Sequence, residues 1–164
     1  PQFPSPEPSG TVRIIHTPSS TGAKGTRYVR ESIEALKQKG LSFDYIEIHN
    51  QSRQEALNAI RSADIFVDQF ICGAYGLATC EAMAMGKPVF CYLMPRVVEK
   101  LPADCPIVNT TIDTLQDTLE QYITNPALRH STGRLSRQYA ETYHDADKIA
   151  QQLLTLYQEI LHKP

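Results

Sequence analysis

The sequence has no tryptophan, no long hydrophobic run and no marked excess of either charge. Its 164 residues carry 16 Lys and Arg against 18 Asp and Glu, which gives a formal net charge of −2. This balance gives no argument for binding nucleic acid or an anionic membrane surface. No apolar run approaches the ~20 residues that a membrane-spanning helix needs, and no secretory signal pattern is present. We therefore expect one compact domain, located in the cytoplasm, without a transmembrane segment.

Several common site motifs are also missing. Neither Gly-x-Gly-x-x-Gly nor Gly-x-x-x-x-Gly-Lys-Ser/Thr occurs, which excludes the dinucleotide-binding fingerprint and the P-loop. The four cysteines lack Cys-x-x-Cys spacing and the five histidines lack metal-ligand spacing, so we expect neither a metal nor a resident cofactor. Each cysteine lies in or beside an apolar segment, which favours buried free thiols. The cysteines are Cys72, Cys80, Cys91 and Cys105.

The first ten residues differ in composition from the rest of the chain. Four of the first eight residues are proline, and such a segment cannot begin a helix or a central strand. We expect residues 1–10 to be an interdomain linker and residues 11–164 to form the domain. The chain starts without Met, which favours a piece of a larger protein over a processed or disordered N-terminus.

Apolar runs alternate with helical patterns along the remaining chain. The runs predict strands at 12–16, 43–48, 64–68, 89–93 and 106–108. Apolar residues at helical spacing predict helices at about 26–39, 53–63, 77–85, 96–101, 115–124, 126–143 and from 145 onward. This order predicts an α/β fold, a Rossmann-like parallel sheet flanked by helices with a helical C-terminal segment.

Two loops lie where such a sheet binds its ligands. Open parallel sheets bind ligands at the carboxyl ends of their strands, near the point where the strand order reverses. The first loop, residues 19–26, and the second loop, residues 69–76, each connect a strand end to a helix N-terminus. Both are therefore candidate binding loops.

The second loop has the features of an anion site followed by a carboxylate. Gly73 and Gly76 flank a tight turn and let a ligand approach the backbone closely. The N–H groups of about residues 75–78 would be free to bind oxygen anions. Glu81 leans back toward the turn and could accept hydrogen bonds from two ribose hydroxyls. The pattern describes a nucleotide site; the alternative for Glu81 is a surface residue favoured by the helix dipole.

The first loop offers a cation. Lys24 precedes Gly25 and Thr26, and Thr26 is a suitable N-cap for the following helix. A lysine at this place could neutralise the same phosphates as a point charge, although a solvated loop lysine is the simpler alternative. His16 ends the preceding strand and is predicted to be structural, with ligand contact as the alternative.

Three segments follow one another in a distinctive order. They are Ala-Asp followed by apolar residues at 63–67, an aromatic-Gly-Leu turn at 75–77, and Glu-Ala-Met-Ala-x-Gly-Lys-Pro-Val at 81–89. This order resembles the signature of family-4 glycosyltransferases. Lys24-Gly25 is similar to a Lys-Gly pair after the first strand of that family's C-terminal domain, and residues 143–157 resemble its closing helix.

The resemblance implies a GT-B architecture, in which this chain is the C-terminal, donor-binding one of two Rossmann-like domains. Such enzymes transfer a sugar from a nucleoside-diphosphate donor with retention and without a metal. The acceptor would be held by an N-terminal domain, so the isolated domain would bind donor weakly and transfer nothing.

The resemblance also implies roles for particular residues. Lys24 matches the lysine that neutralises the diphosphate, Gly76 and Leu77 match the phosphate-binding turn, and Glu81 matches the ribose-binding glutamate. We therefore predict Lys24 and Glu81 as catalytic residues. The remaining predicted donor contacts are Gly25, Thr26, Gly73 and Tyr75.

Two positions depart from the family pattern. Gly73 stands where the family has a glutamate that faces the donor sugar, and Ser19 stands where it has an arginine. A different donor, compensation by other residues and loss of activity all stay open. A GT-B nucleotide-sugar epimerase or phosphorylase half-domain is an alternative function. A non-catalytic receiver module is another, with Asp68 as its strand-end aspartate, but strand 12–16 ends without the acidic pair that a receiver needs.

Overall fold

The computed structural model describes residues 3–5, 7, 10–50 and 52–161. The strands are β1 (Val12–His16), β2 (Phe43–Glu47), β3 (Ile65–Val67), β4 (Val89–Cys91) and β5 (Val108–Asn109). The helices are α1 (Thr21–Lys24), α2 (Thr26–Gln38), α3 (Arg53–Ser62), α4 (Leu77–Ala84), α5 (Pro95–Val98), α6 (Leu115–Thr124), α7 (Pro126–Tyr143) and α8 (Ala146–Leu161). The predicted alternation of strands and helices is confirmed.

The strands form one sheet in the order β2-β1-β3-β4-β5, and every pairing is parallel. The chain first moves from β1 outward to β2, and it then returns to the other side of β1 to form β3. The loops that leave β1 and β3 therefore diverge, which makes this pair of strands the switch point of the sheet. The predicted Rossmann-like fold is confirmed, and the first and second loops lie side by side at its switch point.

Two hydrophobic clusters cover the two faces of the sheet. Ile14 belongs to one cluster and Ile15 to the other, because successive side chains of a strand point to opposite faces. Helices α2 and α6 pack on the first face. Helices α3, α4 and α7 pack on the second face, so both loops are supported from below by buried apolar side chains.

Local capping explains where several helices begin. Ser52 and Glu55 form a reciprocal capping box at the start of α3. The Asn125 side chain accepts a hydrogen bond from the Leu128 N–H at 3.0 Å at the start of α7. Ser20 caps a single helical turn, α1, within the first loop, where the sequence predicts a loop without a helix. The short turn places Lys24 at its C-terminal end.

Helix α8 is amphipathic but unpacked. The predicted apolar face is present, but none of the described residues of α8 is buried. Its exposed apolar side chains are Ile149, Leu153, Leu154, Leu156, Tyr157, Ile160 and Leu161. An amphipathic helix of this kind is stabilised mainly when another surface covers its apolar face.

Part of the N-terminal segment contacts the domain. Pro4 is buried, and its carbonyl oxygen accepts a hydrogen bond from His130 Nδ1 at 2.9 Å. The Phe3 and His130 rings lie edge to face, with their centroids 6.1 Å apart. These described residues are docked against α7; the interdomain linker at 1–10 stays a prediction.

The cysteines are free thiols in different environments. Cys91 is buried in the sheet, and burial raises its pKa to about 12. Cys80 and Cys105 are half-buried. Cys72 is exposed in the second loop, so the prediction of a buried thiol is wrong at this position. The loop turns at the surface, and its neighbouring apolar residue Ile71 is exposed with it.

Helices α4 and α7 approach closely at a glycine. A Cβ atom added to Gly133 would lie 2.3 Å from the carbonyl oxygen of Gly86, just beyond α4. We expect Gly133→Ala to push the two helices apart and to lower the free energy of unfolding by about 1–3 kcal/mol, measured by urea denaturation. Gly22→Ala is the matched control, since a Cβ there meets no atom within 4 Å. Equal losses in both variants would contradict the packing explanation.

Candidate functional site

The two predicted loops meet at the carboxyl edge of the sheet. The register pairs His16 at the end of β1 with Val67 at the end of β3, so both loops leave the sheet at the same level. The Phe70 N–H of the second loop donates a hydrogen bond to the Lys24 carbonyl oxygen at 3.1 Å. The backbones of the two loops are therefore tied together beside Lys24.

Lys24 is held by a buried carboxylate. Its ammonium group forms an ion pair with Asp68, which follows β3 directly. The Lys24 side chain is 18% exposed, whereas the Asp68 side chain is 1% exposed. The cation thus lies at the surface of the crevice between the loops, and its counter-ion lies beneath it.

Asp68 also reaches helix α4. Its second carboxylate oxygen accepts a hydrogen bond from Thr79 Oγ1 at 2.6 Å. Thr79 is the third residue of α4, which begins at Leu77. The chain of contacts from Lys24 through Asp68 to Thr79 therefore brings the cation of the first loop to the first turn of α4.

The N-terminus of α4 is open for an anion. Gly76 is the N-cap residue in an extended conformation, and α4 has no side-chain cap. The first intrahelical bond runs from the Cys80 N–H to the Gly76 carbonyl. Geometry leaves the N–H groups of residues 76–79 without intrahelical partners, which is one residue later than the predicted 75–78. Leu77 is strongly exposed beside these groups.

Tyr75 contributes its side chain to packing. Its ring lies edge to face with the His144 ring at a centroid distance of 5.8 Å, and its hydroxyl is 3.3 Å from His144 Nε2. Burial lowers the pKa of His144 and raises that of Tyr75. A contact between the backbone N–H of Tyr75 and a donor phosphate stays a prediction.

Glu81 is paired with an arginine from another helix. Its carboxylate accepts hydrogen bonds from Arg53 Nη2 at 2.7 Å and from Arg53 Nε at 3.2 Å. Arg53 is the first residue of α3, and its side chain is largely exposed. A cavity of about 340 Å³ opens beside Glu81 between α4 and α7. Glu81 lines this cavity, so a ligand in it could reach the carboxylate.

The shape of the second loop depends on Gly73. This residue has φ of +73°, a left-handed conformation that glycine adopts without strain. A Cβ at Gly73 would lie 2.3 Å from Met94 Cε and 3.1 Å from Met94 Cβ. The Gly73 carbonyl also accepts a hydrogen bond from the Met94 N–H at 2.9 Å. The acidic side chain that the resemblance places here would strain the left-handed backbone, and it would need the Met94 side chain to move.

Gln69 holds the same loop from inside. Its side-chain oxygen accepts a hydrogen bond from the Cys72 N–H at 2.8 Å, and its amide nitrogen donates to the Ala74 carbonyl. The amide nitrogen also lies 3.3 Å from the Tyr92 carbonyl oxygen. The buried side chain therefore satisfies backbone groups of the loop, in addition to the hydrogen bonds that the loop backbone makes to neighbouring segments.

The first loop is anchored by His16 and Thr26. His16 Nδ1 donates to the Val67 carbonyl at 2.8 Å, and His16 Nε2 lies 2.9 Å from Thr26 Oγ1. Burial lowers the pKa of His16, which fits a neutral ring that accepts from the threonine hydroxyl. The predicted structural role of His16 is confirmed. The prediction that Thr26 caps α2 is wrong, because Gly25 is the N-cap and the Thr26 hydroxyl is used by His16.

Sequence reasoning missed two side chains that complete the site. From the sequence, Asp68 is predicted only as the aspartate of the receiver alternative, and Arg53 has no predicted role in the site. A carboxylate directly after a strand at the switch point was a signal that could have found Asp68. No sequence signal pointed to Arg53, which lies 28 residues before its partner Glu81.

Comparison with known proteins connects the chain to glycosyltransferases. The chain matches no protein-family model. It is 28% identical over 171 aligned positions to the UDP-N-acetylglucosamine–N-acetylmuramyl-(pentapeptide) pyrophosphoryl-undecaprenol N-acetylglucosamine transferase of Phenylobacterium zucineum. That alignment covers 82% of this chain and 46% of the relative, so the chain spans about half the length of this protein.

Solved structures show the same fold. A variant of S. aureus TarM, in complex with fondaparinux, alpha-GlcNAc-glycerol and UDP, superposes with a TM-score of 0.71 at 15% identity, over 94% of this chain and 38% of that one. The C-terminal domain of a group 1 glycosyl transferase, LpcC from Francisella tularensis, superposes with a TM-score of 0.59 at 17% identity. That match covers 88% of this chain and 89% of the domain. The expected GT-B C-terminal fold is confirmed, and the likenesses do not favour the epimerase or binding-module alternatives.

The described residues contain neither a membrane-spanning helix nor a cluster of metal-ligand side chains. No helix in residues 3–5, 7, 10–50 and 52–161 combines the length and apolar character needed to cross a membrane. In the same part of the chain, no three His, Cys, Asp or Glu side chains are grouped as metal ligands.

Proposed function

Because the chain has the fold of a GT-B C-terminal domain, we propose that it binds the nucleoside-diphosphate sugar donor of a retaining glycosyltransferase. The observation that carries the proposal is the junction of the two loops. There, the Lys24 ammonium and the open N-terminus of α4 are linked through Asp68 and Thr79. A cation and a set of free N–H groups at one place suit a diphosphate.

The phosphates would lie on the backbone at Gly76 and Leu77, with Lys24 beside them. Negative charge develops on the leaving diphosphate as the bond to the sugar breaks. Donors that already point at this position stabilise the charge without rearranging during the reaction. Lys24 is held before any ligand binds, since its ammonium is paired with Asp68. We expect this electrostatic contribution to be the main one from this domain.

The ribose would lie on Glu81, four residues into the helix from the phosphate turn. A carboxylate can accept hydrogen bonds from both ribose hydroxyls. Arg53 already donates to Glu81 Oε1, so the ribose would share the carboxylate with the guanidinium or displace it. The Arg53 side chain is mostly exposed, so its ion pair with Glu81 contributes little free energy. A ribose could displace the guanidinium at small cost, because the guanidinium would return to water.

The acceptor would come from outside the described domain. The chain spans 46% of its relative from P. zucineum, which leaves room for a further domain in a protein of that kind. The apolar face of α8 has no partner among the described residues and is suited to cover or be covered by such a domain. We propose an N-terminal acceptor-binding domain as that partner, and a cytoplasmic location for the transfer.

The ribose contact can be tested with ligands that differ only in the sugar hydroxyls. Calorimetric titration with UDP, GDP and ADP first identifies the nucleotide that binds. Glu81→Gln is expected to weaken binding of that nucleotide by about 10–100-fold, the loss of charged hydrogen bonds to two hydroxyls. The 2′,3′-dideoxy form of the same nucleotide should bind wild type and variant alike, because it lacks both hydroxyls.

Glu31→Gln is the matched control for this titration, since Glu31 is an exposed, ion-paired helical glutamate outside the site. Absence of binding by all three diphosphates would refute the proposed function. A Glu81→Gln variant that binds the ribonucleotide as tightly as wild type would remove Glu81 from the site.

A further inference from the structure

Asp68 has no place among the groups that would touch a nucleotide. It follows β3 and is 2% exposed, so a ligand in the crevice would lie above it and would meet Lys24 first. A buried carboxylate needs partners, because an unpaired charge in the interior is strongly unfavourable. Its side-chain partners come from two distant parts of the chain, the first loop and helix α4.

Both carboxylate oxygens of Asp68 are used. Oδ1 accepts from the Lys24 ammonium, and Oδ2 accepts from Thr79 Oγ1 at 2.6 Å. Lys24 lies 44 residues before Asp68, and Thr79 lies 11 residues after it. One side chain therefore fixes the distance between the cation of the first loop and the first turn of α4.

The backbone beside Lys24 is tied to the same region. The Lys24 carbonyl accepts from the Phe70 N–H at 3.1 Å, and the Thr26 hydroxyl contacts His16 at the end of β1. Both ends of the lysine, its carbonyl and its ammonium, are thus connected to residues that follow β3. The long side chain loses its rotamer freedom in the protein itself, before a ligand arrives.

We propose that Asp68 is the positioning residue of this site: it fixes the Lys24 ammonium at the first turn of α4, so that cation and N–H groups act on the same phosphate. The inference rests on the proposed function and deepens it. Its competitor is a purely structural role, in which Asp68 neutralises the positive end of α4 and stabilises the fold. The two roles differ in whether the effect of Asp68 on ligand affinity passes through Lys24.

A double-mutant cycle separates the two roles. Dissociation constants are measured by calorimetry for wild type, Asp68→Asn, Lys24→Met and the double variant. The ligand is the diphosphate among UDP, GDP and ADP that binds wild type most tightly. Asparagine has the shape of aspartate and can still bond Thr79, so the substitution removes mainly the charge that holds Lys24.

Asp68→Asn is expected to weaken binding roughly tenfold, the size of one well-placed charged hydrogen bond. In the Lys24→Met background the same substitution should cause no further loss, since there is no ammonium left to position. Glu120→Gln is the control, because it removes a carboxylate from an exposed lysine pair, with Lys39, outside the site. It should leave the dissociation constant unchanged.

Each outcome decides the matter. Unchanged or tighter binding by Asp68→Asn, or an equal loss with and without Lys24, overturns the positioning role while the proposed function stands. Failure of wild type to bind any of the three diphosphates overturns both. If Asp68→Asn does not fold, Thr79→Val replaces it in the cycle. That variant frees Asp68 from α4 and should weaken binding only when Lys24 is present.

Discussion

Replacing Lys24 by methionine is expected to weaken the binding of a nucleoside diphosphate by about 10–100-fold, because one charge-assisted contact to phosphate is lost in a partly desolvated crevice. The methionine keeps the length and apolar stem of the lysine and removes only the ammonium. The loss should shrink as salt rises, since ions screen an interaction at a partly exposed site. Calorimetric titration at low and high salt measures both effects.

The Lys24→Met substitution also affects Asp68, the buried partner of Lys24. Removal of Lys24 leaves the buried Asp68 carboxylate without its counter-ion and with the Thr79 hydroxyl as its remaining side-chain partner, and breaking a buried ion pair costs roughly 3–5 kcal/mol of stability. Urea denaturation of the variant is therefore measured beside its affinity. Lys39→Met removes an exposed lysine that is paired with Glu120, and should leave the affinity unchanged. A folded Lys24→Met protein with wild-type affinity would show that the phosphates do not lie at this loop.

Introducing at Gly73 the acid that the resemblance to family-4 glycosyltransferases implies is expected to destabilise the protein and to add no donor contact. Gly73→Glu forces a side chain into a left-handed conformation, which costs about 1–3 kcal/mol of strain. Its Cβ also meets Met94 Cε at 2.3 Å and Met94 Cβ at 3.1 Å, so the Met94 side chain has to turn away and the backbone beside it has to give by a few tenths of an ångström. The free energy of unfolding should fall by more than the strain alone, and the affinity for the nucleotide should fall with it.

A second glycine provides the matched control. Gly40 has φ of +87° and a Cβ there would meet no atom within 4 Å, so Gly40→Glu measures the backbone strain without the clash. Urea denaturation of the two variants isolates the contribution of Met94. A Gly73→Glu protein as stable as the Gly40→Glu protein, with tighter binding of a sugar nucleotide than of the bare diphosphate, would show that the loop accepts an acid here.

The fold could be predicted from the sequence because its information is local. Ile14 and Ile15 are successive apolar residues, which indicates a strand buried on both faces. Helical patterns between the strands indicate crossover helices, which connect parallel strands. Parallel strands end at the same edge, so the two loops were expected to meet. Boundaries were less accurate where single hydrogen bonds decide them, as at Ser20, whose cap creates a helical turn in the first loop.

The partners of the site could not be predicted in the same way. Lys24 and Glu81 were identified by type and position, but Asp68 and Arg53 are separated from them by 44 and 28 residues. The packing of helices over the sheet decides which basic side chain pairs with which carboxylate. A periodic sequence pattern contains no information about this pairing. The consequence is that both predicted ligand groups are already ion-paired, which changes what a ligand must compete with.

The sequence by itself determined the parallel α/β sheet, the two loops at its switch point and the candidate residues Lys24, Gly76 and Glu81, because periodicity and glycine positions are properties of short segments. Tertiary structure alone decided that Asp68 joins the first loop to α4, and that Met94 occupies the space beside Gly73. These contacts arise when segments distant in the chain pack against one another. The switch point of the sheet therefore decides where the candidate site lies, and the packing of distant segments decides how its charged side chains are paired.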